Sequence, residues 1–95
     1  MTAYYIATPE ELFDAEGMKE YAANSPAVME SFGGRYLVRE GHAEVLSGEW
    51  RPPFVVLMEF PTMERLMDWY DSSEYKPWRE LRERSARASI VVTEA

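Results

Sequence analysis

The chain has 95 residues, of which 46% are hydrophobic and 14% are aromatic. This length predicts one domain over residues 1–95, and the hydrophobic fraction excludes an intrinsically disordered chain. Acidic residues outnumber basic residues by 17 to 10, so the electric field of the chain disfavours nucleic acid and anionic membranes as partners.

The sequence also indicates the compartment. It contains no cysteine, which excludes disulfides, thiol catalysis and thiolate metal sites and fits a reducing environment. The longest apolar run, Phe54–Met58, is far shorter than the roughly 20 residues of a membrane-spanning helix. The first five residues lack the basic region and apolar stretch of a secretory signal. We therefore expect a cytoplasmic protein with no membrane partner.

The N-terminal third predicts a strand followed by a helix. Residues 3–8 are rich in strand formers, and Pro9 is expected to end the strand. Two helix starts compete, because Thr8 opens a capping-box pattern and Asp14 would cap a later start. The later start is better supported, because apolar residues then share one helical face. This face comprises Met18, Tyr21, Ala22, Ser25, Val28, Met29 and Phe32.

The helix is expected to be interrupted before it ends. Pro26 interrupts this pattern, and proline removes a backbone hydrogen bond, so we expect a kink or two abutting segments. Gly33 and Gly34 then stop the helix, because glycine readily takes the conformation of a C-terminal cap.

The middle of the chain predicts three strands. Residues 35–40 alternate as a strand, and Gly41 and His42 form the turn that follows. Residues 43–47 are expected to return as a short strand, and the glycine and prolines of residues 48–53 indicate a loop. Residues 54–60 are the most hydrophobic strand.

The C-terminal third predicts two helices and a last strand. Pro61 ends the preceding strand, and Thr62 is placed to cap a helix. Ser72 or Ser73 would cap a second helix, in which Pro77 is tolerable only within the first turn. Residues 88–93 then form the final strand.

This order of elements predicts an α+β fold of the ferredoxin-like β-α-β-β-α-β type, with the helices on one face of an antiparallel sheet. The other face should be polar if it met water. Instead, Val55 and Leu57 on one side of the central strand oppose Val56 and Met58 on the other. An exposed apolar patch of this kind is unusual in soluble monomers, so we expect a homodimer that pairs through its sheet faces.

Four segments carry a resemblance to a known family. They are Phe-Gly-Gly-Arg-Tyr-Leu-Val-Arg at 32–39, Glu-Val-Leu-Ser-Gly-Glu-Trp at 44–50, Val-Val-Leu-Met-Glu-Phe-Pro at 55–61 and Trp-Tyr-Asp-Ser-Ser-Glu-Tyr at 69–75. In this order they resemble the domain-of-unknown-function 1330 family of the dimeric α/β-barrel superfamily. The resemblance implies two copies packed sheet against sheet, each with a cleft between sheet and helices. It implies no settled activity.

Two departures from the family pattern stand out. The residues between the first strand and Asp14 are slightly expanded, which affects the mouth of the implied cleft. The turn that the family commonly makes with two glycines is Glu40-Gly41-His42 here, so His42 is given no role by analogy.

Glu59 and Arg35 are two candidate ligand-binding residues. A carboxylate at the end of the apolar strand would have a raised pKa unless it were paired, and it would then suit a general acid or base. Arg35 follows the two glycines, where a guanidinium would hold an anionic ligand or donate to carbonyls. The alternative for both is structural, namely an ion pair between them or, for Glu59, pairing with a helix arginine or exposure at the strand end.

The junction of the two C-terminal helices supplies four more ligand-binding candidates, Tyr70, Ser72, Tyr75 and Arg82. By resemblance they match the Trp-Tyr-x-Ser-x-x-Tyr segment and a later arginine. A tyrosine combines an apolar ring with a hydroxyl, which suits the orientation of a small organic ligand. The alternative is that the aromatic residues simply fill the core.

The remaining polar residues indicate no metal or cofactor site. His42 is the single histidine, so a multi-histidine metal site or His-pair catalysis is excluded within one protomer. The arginines of the last helix are spaced as ordinary surface pairs with glutamates. No phosphate loop, nucleophile elbow or Ser-His-Asp set occurs, and we expect neither metal nor cofactor.

Two functions remain open. The first is a dimer that binds a small organic molecule and acts on it as a cofactor-free enzyme, as in relatives implied by the superfamily. The second is a non-catalytic binding or regulatory homodimer in which the tyrosines and arginines are structural. The sequence alone leaves the question of catalysis undecided.

Overall fold

The computed structural model describes residues 1–95 and contains four strands and three helices. In chain order they are β1 (Ala3–Leu12), α1 (Ala15–Ser31), β2 (Arg35–Gly41), β3 (Val55–Phe60), α2 (Met63–Tyr70), α3 (Lys76–Ser85) and β4 (Ala86–Glu94). The strands form one antiparallel sheet in the order β2-β3-β1-β4. The predicted ferredoxin-like α+β arrangement is thereby confirmed. No helix has the length and apolar composition needed to cross a membrane.

The core lies between the helices and one face of the sheet. Trp69 on α2 is buried between the Phe60 and Tyr5 rings, with both centroid distances 5.3 Å. Tyr5 and Phe60 belong to adjacent strands whose alternate residues point the same way. Leu66 and Met58 complete the centre of this cluster. The aromatic residues of α2 therefore hold the helical layer against the sheet.

Strand β1 is longer than the sequence indicates, because Pro9 does not end it. β1 pairs with β3 only as far as Ala7, while its pairing with β4 continues to Leu12 through an irregularity after Pro9. Proline is tolerated in a strand where one edge has no partner, as at Pro9, beyond the last pair with β3. The pairing with β4 is irregular between Pro9 and Glu11, as at a β-bulge. The predicted end at Thr8 was therefore wrong.

Helix α1 begins where the later of the two sequence signals places it. The Asp14 side chain accepts a hydrogen bond from the Gly17 N–H at 3.1 Å, as an N-cap does. Pro26 lies inside a single continuous helix, so the prediction of two abutting segments was wrong. The reason is tertiary, since the Arg39 side chain donates to the Ala22 carbonyl oxygen that Pro26 leaves without a helical partner.

Two local signals set the C-terminal helices. The Thr62 hydroxyl accepts from the Arg65 N–H at 3.1 Å and caps α2 as predicted. The Ser72 hydroxyl instead caps the turn before α3, accepting from the Tyr75 N–H at 3.1 Å. α3 itself starts at Lys76 with Pro77 in its first turn, where proline costs no hydrogen bond.

The segment between β2 and β3 forms no strand. Gly41 is the last residue of β2 to pair, opposite Val55 at the start of β3, so residues 42–54 run beyond the end of the sheet. The predicted strand at residues 43–47 was wrong, because strand formers need a neighbouring strand and none is present there. Leu46 is 97% exposed in this loop.

The face of the sheet opposite the helices carries an apolar row. Pairing places Val38, Leu57, Ile6 and Val91 side by side across all four strands. Val91 is 60% exposed and Val38 is 36% exposed. The sequence prediction of a second apolar face therefore agrees with the register.

Candidate functional site

A cavity of about 130 Å³ lies between the helices and the sheet. Of its 15 lining residues, 11 are hydrophobic, so the greater part of its wall suits an apolar ligand. Strands β1 and β3 supply Ala7 and Val56, and α1 supplies Met18 and Ala22. We call this space the cleft.

One cation lies buried in the wall of the cleft. Arg82 on α3 is 8% exposed and is the single charged residue among the buried residues. No carboxylate oxygen lies within 4.0 Å of the Arg82 guanidinium, so Arg82 forms no ion pair. The buried Nε atom of Arg82 has no hydrogen-bond partner. Buried charges are ordinarily paired, because removal from water is costly without compensation. Arg82 is therefore a buried cation without a counter-ion within the protein.

Three tyrosines surround this cation. Tyr5 and Tyr21 line the cleft. Tyr75 is fully buried and contacts Tyr21 from outside the lining of the cleft. The hydroxyls of Tyr21 and Tyr75 are 2.7 Å apart and share a hydrogen bond. In such a pair one hydroxyl donates to the other, and the accepting hydroxyl keeps its own proton free. Tyr75 also interacts by hydrogen bonding with Tyr5 and Arg82, so the three hydroxyls and the guanidinium form one connected group.

Burial controls the protonation of this group. It raises the pKa of Tyr5, Tyr21 and Tyr75 well above the ordinary value, although the positive charge of Arg82 opposes the rise. For Arg82, burial lowers the pKa, but charge attraction to Tyr5, Tyr75 and Tyr21 in their ionised forms and a hydrogen bond to Tyr75 outweigh this, so the pKa is raised. At neutral pH the group therefore comprises one cation and three neutral hydroxyls, an assembly that stabilises negative charge and contains no base.

The structure brings together some of the residues that the sequence selected. Tyr75 and Arg82 lie close together, with Arg82 in the wall of the cleft and Tyr75 buried outside its lining. Tyr70 lies on the other side of Arg82, where the two residues line a shallow hollow with Phe13 and Ile90. The Ser72 hydroxyl donates to the Trp69 carbonyl oxygen at 2.8 Å, in addition to its cap, and is occupied with local structure.

Arg35 and Glu59 lie elsewhere. They form an ion pair on the face of the sheet that carries Tyr4, the partner of Glu59 across β1. Tyr4 and the cleft residue Tyr5 are neighbours in a strand and point to opposite faces. This arrangement is the structural alternative considered for both residues, and it is remote from the cleft.

Sequence reasoning missed Tyr5 and Tyr21. Tyr21 was assigned to the apolar face of α1, and Tyr5 to strand β1, without a polar role for either. The one available signal was a tyrosine hydroxyl on each of two faces built mostly from apolar side chains. No three carboxylate or imidazole groups converge as a metal-ion site would require.

The family model described as "Domain of unknown function (DUF1330)" matches residues 2–95. The chain belongs to this family. No curated protein matches the sequence.

Solved structures with the same architecture as this DUF1330 chain include a protein of unknown function from Rhodopseudomonas palustris, with 14% identity and a TM-score of 0.79 over 99% of this chain and 82% of the other. SnoaB, a cofactor-independent oxygenase from Streptomyces nogalater, has 7% identity and a TM-score of 0.69 over 99% and 92%. A dimeric ferredoxin-like protein of unknown function from Jannaschia has 14% identity and a TM-score of 0.64 over 100% of both chains. These identities show the fold alone.

Proposed function

We propose that this protein is a homodimer that binds a small organic molecule in the cleft and acts on it as a cofactor-free enzyme. The observation that carries the proposal is the mostly apolar cleft with Arg82, Tyr5 and Tyr21 in its wall. A site of this composition takes the apolar body of a ligand and orients its polar group. Tyr75 and Tyr70 belong to the proposed site as supporting residues, one behind Tyr21 and the other beyond Arg82.

The enzyme part of the proposal has two supports. The cleft offers a guanidinium and neutral hydroxyls, which stabilise negative charge that develops on a substrate during reaction. The fold is also that of a cofactor-independent oxygenase, although fold is a weak guide to chemistry.

The alternative is a non-catalytic binding or regulatory homodimer, and a specific observation favours it. The tyrosines of the cleft have raised pKa values, so they are poor bases at neutral pH. The one carboxylate in the lining, Glu40, is exposed. A site without a buried base binds an anion readily but has few means of proton abstraction.

The homodimer rests on the apolar row of the open sheet face. Ile6, Leu57, Val38 and Val91 would face water in a lone protomer, and patches of this kind mark interaction surfaces. A second copy supplies a matching surface through a twofold axis. A relative in fold is itself described as dimeric.

The cleft is tested by filling it. Ala22 lines the cleft, whereas its neighbour Ala23 is exposed on α1, so Ala22→Trp and Ala23→Trp are a matched pair. We expect ligands from a library of small organic molecules to raise the melting temperature of the wild type and of Ala23→Trp, but not of Ala22→Trp. Equal shifts in both variants would place the ligand elsewhere. Ala22→Leu provides a smaller obstruction should the tryptophan prevent folding.

Catalysis is tested on any ligand so found. The ligand is incubated with the protein in air and recovered, and its mass is measured by mass spectrometry. A new mass that forms with the wild type but not with Ala22→Trp supports the enzyme, and an unchanged ligand supports the non-catalytic alternative.

The dimer is tested by introducing a negative charge on the sheet face opposite the helices. Ile6→Glu places a carboxylate at the centre of the apolar row, and Met67→Glu places one on the exposed side of α2. We expect light scattering to give the mass of two chains for the wild type and for Met67→Glu, and of one chain for Ile6→Glu. A wild-type mass of one chain at micromolar concentration contradicts the proposal.

A further inference from the structure

We propose that the cleft selects a small aromatic carboxylate, whose carboxylate group pairs with the buried guanidinium of Arg82. This inference rests on the proposed function, because it names the class of ligand that the same cleft takes. The proposed ligand is an anion, its polar group is a carboxylate, and its apolar body has the size of one aromatic ring.

The charge follows from the pairing of the arginines. Arg79 approaches Asp71 at 3.8 Å, and Arg87 approaches Glu10 at 3.4 Å, yet both arginines are more exposed than Arg82. Arg82 is the buried one and has no carboxylate of its own. A guanidinium out of water and without a counter-ion is compensated most directly by an anion from outside.

The polar group follows from geometry. A guanidinium presents its N–H donors as a planar fork that matches the two oxygens of a carboxylate. Arg82 lines the cleft and makes no ion pair within the protein. Tyr21 also lines the cleft, and with Tyr75 as the donor of the bond between the two hydroxyls the Tyr21 proton is free for the ligand. A carboxylate has enough acceptor positions for both. Tyr75, which does not line the cleft, then acts as a positioning residue for Tyr21.

The size follows from the volume of the cleft. An engineered cavity of about 150 Å³ in another protein binds benzene, so a cleft of about 130 Å³ accepts a body the size of one ring. Ala7, Val56, Met58 and Met18 form an apolar wall for that ring. A phosphate or a sugar would leave this wall without an apolar partner.

Because the protein is negatively charged overall, its preference for an anionic ligand depends on the buried cation in the cleft. The formal net charge of −7 repels anions at long range, so preference for an anion must come from groups inside the cleft. Besides Arg82, the charged lining residues are Arg39 and Glu40, which are exposed and opposite in sign. Arg82 is therefore the group that the test must change.

The test compares benzoate with benzamide, a neutral probe of nearly the same shape, by isothermal titration of the full chain at neutral pH. We expect benzoate to bind the wild type about tenfold or more tightly than benzamide, which is the usual scale for a hydrogen bond to a charged group. Arg82→Met should abolish this preference and leave benzamide affinity within about threefold of the wild type. Arg84→Met, which removes an exposed arginine from the same helix, is the control and should keep the preference.

A second measurement is independent of binding. The neighbouring tyrosines favour the charged form of Arg82 in the fold, so the melting temperature of Arg82→Met is measured beside that of the wild type, and the preference for benzoate should be lost in a variant that still unfolds cooperatively. Arg82→Lys keeps the charge without the fork, and should retain part of the preference for benzoate.

Two outcomes would overturn the proposal. Equal affinities of the wild type for both probes, or no benzoate binding at millimolar concentration, would show that the cleft does not select carboxylates. If Ala22→Trp then still removes binding of another ligand, the cleft itself stands and only the ligand class is wrong. If Ala22→Trp leaves benzoate binding unchanged, the proposed function fails as well.

Discussion

The Nη2 atom of Arg39 donates a hydrogen bond 2.6 Å long to the backbone carbonyl oxygen of Ala22. Ala22 lies four residues before Pro26, which has no N–H to donate, so this carbonyl has no partner within α1. A side chain from β2 thus replaces the missing helical bond. The same contact holds Arg39 beside the cleft, with its guanidinium carbon 5.0 Å from the centre of the Tyr36 ring.

This relationship predicts coupling between Arg39 and Pro26. Arg39→Ala should lower the free energy of unfolding by about 1 kcal/mol, because the Ala22 carbonyl loses its donor. In a Pro26→Ala background the new N–H satisfies that carbonyl, so the same change should cost much less. Urea unfolding of the four proteins measures the coupling. Arg51→Ala, in the exposed loop, is the control, and equal losses from Arg39→Ala in both backgrounds would contradict the role given to Arg39.

The tyrosine pair predicts a second coupling. Tyr75→Phe leaves the half-buried Tyr21 hydroxyl without its 2.7 Å partner, and should cost about 1 kcal/mol of unfolding free energy. The double change Tyr21→Phe with Tyr75→Phe should cost little more than either single change, because it removes both hydroxyls of one bond. Denaturant unfolding again measures this, with Tyr4→Phe on the other sheet face as control. Strictly additive losses would show that the two hydroxyls do not interact.

Gly34 is predicted to tolerate no side chain. A Cβ atom there would lie 2.5 Å from the Met29 sulfur and 2.6 Å from the Phe60 ring, and both residues are buried. Gly34→Ala should therefore lower the unfolding free energy by about 1–3 kcal/mol through overpacking. Gly48→Ala is an informative comparison, because its Cβ would meet nothing within 4 Å but its φ is +92°. That change should cost about 1 kcal/mol from the backbone alone, and a Gly34→Ala variant as stable as the wild type would contradict this packing.

Alkaline pH is predicted to destabilise the fold. Burial raises the folded-state pKa of Tyr5, Tyr21 and Tyr75 above 10.0. Below pH 10 both states keep these protons and stability does not depend on them. Above pH 10 the unfolded state loses protons that the folded state retains, so the unfolding free energy falls as pH rises. Urea unfolding from pH 8 to 11 measures the slope, and absorbance at 295 nm should show these tyrosines ionising together with unfolding.

Local signals allowed much of the fold to be predicted. Asp14 and Thr62 cap their helices as expected because a cap depends on a few consecutive residues. The alternation of β3 between two apolar faces followed from residue order alone, and so did the existence of a second apolar surface. The family resemblance selected Tyr75 and Arg82, which the structure brings together.

Other features depended on residues distant in the chain. Pro26 is accommodated because the Arg39 side chain, from strand β2, donates to the carbonyl oxygen that Pro26 leaves unpaired. Pro9 is accommodated because the pairing of β1 with β3 extends only to Ala7, so Pro9 has no partner on that side. Residues 43–47 have strand-forming composition but no strand to pair with. The predictions of two abutting helical segments at Pro26, of a strand end at Thr8 and of a strand at residues 43–47 were wrong, because each outcome rested on a partner that periodicity and propensity do not reveal.

The division between sequence and tertiary structure is clearest at the site. Residue order alone determined the Asp14 and Thr62 caps, the order of the four strands and three helices that form, and the alternating faces of β3. These features depend on covalent geometry and on neighbours within one turn or one pleat. Only the register of the sheet and the packing of α1 and α3 decided that Tyr5, Tyr21 and Arg82 meet, and that Arg35 pairs with Glu59 on the other face. The physical reason is that a one-residue shift between strands reverses the face of every side chain, and hydrophobic burial across the whole sheet selects the register.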